Sequence, residues 1–173
     1  MNDRTLATSF GNLFRLLLPQ IQLIILFALS IADWASPFFN NVKPQFLLMA
    51  VYYWAIYRPT LCSPAYVFAL GIGLDLMSSM PVGASAILLV GFQWLIRDQR
   101  VFLMGQSYGV IWFAFMVISA IYACLEWCLY ALFTLSVPQI DTQIYSVLIT
   151  IFLFPPMSLL LILTHRFLPV DKN

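Results

Sequence analysis

Between Tyr108 and Leu135 the chain carries one acidic residue, Glu126, and no basic one. A helix of roughly 20 apolar residues crosses the hydrocarbon core of a bilayer, about 30 Å thick, and this run exceeds that length. Five further apolar stretches, cut out by charges and prolines, surround it. Only 9% of residues are charged and 62% are hydrophobic, whereas soluble domains carry about 25% charged residues. So little charge cannot coat a water-facing surface. A soluble globular domain, a disordered chain and a nucleic-acid binder are therefore excluded, and the 173 residues form a single transmembrane domain over 1–173.

The six stretches are 16–32, 44–57, 64–77, 82–96, 108–135 and 143–164. The first is read as a retained anchor, because it is longer than a signal-peptide core and no A-x-A site follows it. The second ends at Arg58-Pro59 and the third opens on Pro64, a favoured first helical position. At 1.5 Å per residue these two reach only about 21 Å. The sequence predicts that they cross with the help of an interfacial girdle, Tyr52, Tyr53, Trp54 and Tyr57 beside Arg58. The rival, a re-entrant hairpin, would leave Arg58 in mid-membrane at about 2.5 to 3.5 kcal/mol.

With the N-terminus inside, Arg4, Arg15, Arg58, Arg97, Arg100, Arg166 and Lys172 fall on the inner side and Lys43 alone on the outer. That asymmetry follows the positive-inside rule and predicts six spans with both termini cytoplasmic. The outer side then holds Asp33, Asp75, Glu126 and Asp141, so the net charge of +1 is the sum of two opposed faces.

Small residues line the third stretch. Ala65, Ala69 and Gly73 form a ridge with Gly71 between them, and Gly83, Ile87 and Gly91 form a matching groove on the fourth. Such ridges let membrane helices approach closely, and the short turn from Ser78 to Gly83 makes the two an antiparallel hairpin. Asp75 and Glu126 fall inside apolar sequence, where a carboxylate is expensive and points to function by default. Three readings of them stand: a proton or cation relay, carboxylates that cap backbone, bond polar neighbours or meet a partner, and unpaired acids exposed to water at a span end.

No catalytic set emerges. The one His, His165, lies at a predicted interface beside Arg166. There is no nucleophile elbow, no phosphate loop and no acidic pair at metal spacing. Cys62, Cys124 and Cys128 lack zinc spacing and read as small hydrophobes. The expectation is a protein that is not an enzyme and holds no cofactor or metal.

The stretch Lys43-Pro44-Gln45-Phe46 with Tyr53-Trp54 and Arg58-Pro59 resembles the second span of the rod-shape-determining MreD family. Gly71-Ile72-Gly73-Leu74-Asp75 followed by Ser78-Ser79 and Pro81-Val82-Gly83 resembles that family's most distinctive segment. Lys43 stands where Arg is common. The likeness covers nearly the whole chain, and it implies an all-α bundle similar in fold to the substrate-binding subunits of energy-coupling-factor transporters. It also implies a non-catalytic scaffold or regulator in the bacterial inner membrane, supporting lateral peptidoglycan synthesis. The implied partners are an MreC-like bitopic protein and, through the complex, MreB, RodA and a penicillin-binding transpeptidase, with lipid around them. Pro44, Arg58, Gly71, Gly73, Asp75, Gly83 and Glu126 are the candidate partner-binding or structural residues. The alternative is a small-solute transporter subunit of the energy-coupling-factor type, with a polar cavity near Asp75 and Glu126.

Overall fold

The computed structural model describes residues 19–32, 42–78, 80–135 and 140–165. The expected roles of Arg4, Arg15, Asp33, Ser79, Arg166 and Lys172 fall outside these residues. Regular structure among the described residues is helical: α1 (Pro19–Ile31), α2 (Phe46–Tyr57), α3 (Pro64–Met77), α4 (Ala84–Asp98), α5 (Arg100–Met104), α6 (Tyr108–Thr134) and α7 (Ile140–His165). The apolar stretches supply the long elements: Pro19 and Pro64 open their helices and Pro44 precedes α2, which leaves Pro155 and Pro156 in α7 as the prolines inside a described helix. The short α5 was not anticipated, and it occupies part of the turn after the fourth stretch. α6 and α7 are each long and apolar enough to cross a bilayer, whereas α1, α2 and α3 are shorter apolar helices.

Helix α2 is the hub. Every residue from Phe46 to Ile56 is buried, and α4, α5 and α7 pack around it. A helix that is apolar on all sides belongs in the middle of a bundle. This corrects the expected aromatic girdle, since Tyr52 and Trp54 are 0% exposed and Tyr53 is 3%. The Tyr52 ring lies 5.2 Å from Phe115 and 5.6 Å from Phe154, which stack on each other at 4.1 Å. Its hydroxyl donates to the Ile111 carbonyl at 2.8 Å. An interior phenol needs such a partner. Enclosure in protein also removes the mismatch that a helix of 12 residues would meet in lipid.

The hairpin of α3 and α4 has the most extensive contact between elements. Its α3 face is Val67, Gly71 and Asp75, the buried residues of that helix, spaced one turn apart. A Cβ on Gly71 would stand 2.4 Å from the Ala86 Cα, so only glycine admits this approach. The predicted ridge is corrected in register. Ala65 and Ala69 are exposed, and Gly73 faces the Phe27 ring of α1 instead. On α4, Ile87 is 67% exposed and Gly91 has no neighbour within reach of a Cβ. The ridge and the buried row are both small-residue rows on one helix, and only Asp75 distinguishes the row that turns inward.

In α7, Pro155 lacks the N–H that would bond the Ile151 carbonyl one turn back. The Trp112 indole Nε1 of α6 donates to that carbonyl at 3.2 Å. The Tyr108 and Ser158 hydroxyls share a hydrogen bond at 2.6 Å one turn further on. The proline pair therefore costs the helix less than it would in isolation, and it fixes the register of α6 on α7.

Gly71→Ala should destabilise the bundle by about 1–3 kcal/mol through backbone displacement. Gly91→Ala should be neutral or stabilising by up to about 1 kcal/mol from helix propensity. Thermal unfolding of the two variants in one detergent reads the contrast, and equal behaviour would contradict the packing described.

Candidate functional site

Two polar ends separate along α2. At its C-terminal end Arg58 is the half-buried capping residue, and the following turn is held by side chains from the next hairpin arm. The Arg97 guanidinium donates from Nη2 to the carbonyls of Pro59 and Cys62. Gln93 Nε2 donates to the same Cys62 carbonyl at 2.7 Å, and Arg100 Nε donates to the Ile56 carbonyl at 3.0 Å. These arginines satisfy carbonyls that a helix end leaves without partners. Burial pushes the Cys62 thiol in this turn up to about 11, against a lowering influence from Arg97, so it stays protonated and inert at neutral pH.

At the other end, Asp75 is 1% exposed. Its Oδ2 accepts from the Gly83 amide at 2.8 Å and its Oδ1 from the Ser85 amide at 3.1 Å. Gly83 is the N-cap of α4 and has no side chain with which to cap it. Its φ of +98° lies in the left-handed region, which glycine adopts without steric cost. Asp75 thus caps α4 from the neighbouring helix, with its charge at the positive end of the α4 dipole. Both carboxylate oxygens are engaged by backbone donors.

Glu126, half-buried on α6, bonds a different element. Its Oε2 accepts from Gln45 Nε2 at 3.2 Å. Gln45 belongs to the segment 42–45 that leads into α2, and the buried Pro44 precedes it. The Gln45 amide donates to Thr150 Oγ1 at 3.0 Å, and Ser146 Oγ donates to the Lys43 carbonyl at 2.6 Å. The segment is therefore tied to both α6 and α7. A cavity of about 270 Å³ opens here, lined by Ser30, Lys43, Gln45, Tyr122, Glu126 and Gln143 among others. Glu126 is in its wall and Asp75 is not.

Asp75, Gly83 and Gly71 therefore share one hairpin, Pro44 and Glu126 share the cavity, and Arg58 lies at the far end. Gly73 packs under Phe27. Sequence reasoning passed over Gln45, Ser146 and Thr150. The i, i+4 spacing of Ser146 and Thr150 on a single helix face was the available signal, but their partners lie about a hundred residues away. Among the described residues, no group of three or more His, Cys, Asp or Glu side chains could hold a metal ion.

Asp75→Ala leaves the buried Ser85 amide and the part-buried Gly83 amide without this acceptor and should destabilise the fold by about 1–3 kcal/mol. Asp75→Asn retains one acceptor oxygen and should cost less. Thermal unfolding in detergent tests the order, and an Ala variant as stable as the native chain would contradict the cap.

The family signature described as rod shape-determining protein MreD matches residues 11–163. The rod shape-determining protein MreD of Haemophilus influenzae is 28% identical over 95 residues, which cover 55% of this chain and 56% of that protein. The aligned part thus spans little more than half the length of that relative. No solved structure matches. The family signature runs through both arms of the Asp75 hairpin and every helix that lines the cavity, and the chain belongs to the MreD family of membrane proteins.

Proposed function

We propose that this protein is a non-catalytic scaffold or regulator of the bacterial cell-elongation complex in the inner membrane. It acts in rod-shape determination by binding an MreC-like bitopic protein and, through it, MreB, RodA and the wall-building enzymes. The observation that carries this reading is the family signature across residues 11–163. The geometry supports it in two ways. Among the described residues the connections between helices are short. Its most specific polar construction, the Asp75 cap, holds a hairpin whose turn, Met80 to Gly83, stands at the cavity end of the bundle.

In the proposed topology all six apolar stretches cross, both termini are cytoplasmic, and the Lys43 end faces outward. The exposed sides of α6 and α7, including Phe113, Leu132 and Phe152, face lipid and the partner's transmembrane helix. The Asp75 hairpin and the cavity rim meet the partner's outer base. A second reading, the small-solute carrier, is favoured by the cavity itself. At about 270 Å³ it sits just below the ~300–1,000 Å³ range of small-molecule sites, and it is the weaker of the two.

Asp75→Ala should weaken co-purification with the MreC-like partner about tenfold and round up rod-shaped cells depleted of the native protein. Normal shape and normal recovery, with the variant inserted at native level, would count against the scaffold. A reporter active only outside the cytoplasm should be active when fused after Asp141 and inactive when fused after Gln99. The reverse pattern would overturn the topology.

A further inference from the structure

The cavity beside Glu126 has an unbalanced lining. The Ser30 hydroxyl donates to the Leu26 carbonyl, Ser146 to Lys43 and Ser78 to Leu74. The Ser30 oxygen in turn accepts from the Leu47 amide at 3.1 Å, and the oxygens of Ser78 and Ser146 present lone pairs to the cavity. The side-chain amide nitrogens are committed to acceptors of the protein, Gln45 to Glu126 and Gln143 to Glu126 and the Ala123 carbonyl. The Gln45 Oε1 is buried and has no protein partner, an unmade bond of a kind that native structures seldom leave. A carboxylate, an orphaned amide oxygen and the hydroxyl lone pairs of Ser78 and Ser146 thus lie around one space. Such a set is stabilised by a cation with several N–H donors. Lys43, exposed on the same rim, adds a positive charge outside the acceptor-rich interior.

From this polarity we infer that the cavity binds a primary ammonium group, with the ammonium against Glu126 and beside Gln45 Oε1 and the rest of the ligand toward the rim. Phosphoethanolamine has this chemistry, either as the headgroup of a membrane phospholipid or as the free compound. A quaternary trimethylammonium cannot donate the hydrogen bonds and should be rejected. The inference does not rest on the partner reading, because it concerns the isolated chain.

The test uses the purified full chain in nanodiscs of phosphatidylglycerol doped with either phosphatidylethanolamine or phosphatidylcholine. Native mass spectrometry reads the retained lipid. In a second arm, lipid-depleted protein in detergent is titrated with O-phosphoethanolamine or phosphocholine and followed by thermal shift. The ethanolamine headgroup should be retained about tenfold better than choline, and Glu126→Gln and Gln45→Leu should each abolish the difference. Preference in the nanodisc arm assigns the site to lipid, and preference for the free compound alone assigns it to a soluble ligand. Absence of discrimination by the native chain in both arms would overturn the inference, and that comparison needs no variant to fold. So would full discrimination by well-folded Glu126→Gln and Gln45→Leu proteins.

Discussion

Asp75 sits in an apolar stretch where an unpaired carboxylate would be costly, and the amides of Gly83 and Ser85 compensate for its burial. Its effect extends well beyond that pair. The cap sets where α4 begins, and with it the register at which Gly71 meets Ala86. That register buries Leu89, Phe92 and Ile96 in the core that α2 shares. In lipid there is no hydrophobic drive to bring helices together, so close approach and buried hydrogen bonds must do so. A single carboxylate and a single glycine, one turn apart on α3, supply both.

The same logic orders the two ends of the bundle. Near the start of α2, acceptors dominate: Glu126, Gln45 Oε1 and hydroxyls whose protons are committed to backbone. Near its end, donors dominate, and the arginines at 97 and 100 close the carbonyls of Ile56, Pro59 and Cys62. A polar separation of this kind gives a membrane protein a direction. It also gives the two ends different chemistry to offer, a hairpin and cavity at one and a basic, carbonyl-clamped turn at the other.

Much of this was legible in the sequence, and the exceptions have physical causes. Apolar stretches became helices because little within them opposes a helix, and the Asp75 segment stood out because a carboxylate in that setting needs a reason. The aromatics of α2 misled because a helix apolar on every side carries no periodicity. Sequence alone cannot say whether protein or lipid surrounds Tyr52 and Trp54. The small-residue ridge misled because two rows of small side chains lie on the same helix. The cavity was foreseen only as a location near two acids, which in fact bond different elements. Its lining comes from Ser30, Gln45, Tyr122 and Ser146 on four separate segments, joined by contacts of long sequence separation.

The chain belongs to the MreD family, and the central proposal is that the partner engages the Asp75 and cavity end. Site-specific photocrosslinking in native membranes tests that claim most directly. A photoreactive residue at Met80 or Thr142, on the cavity wall, should capture the MreC-like protein, and one at Trp94 near the arginine end should not. Capture from Trp94 alone, or from none of the three positions in cells that retain their rod shape, would contradict the account.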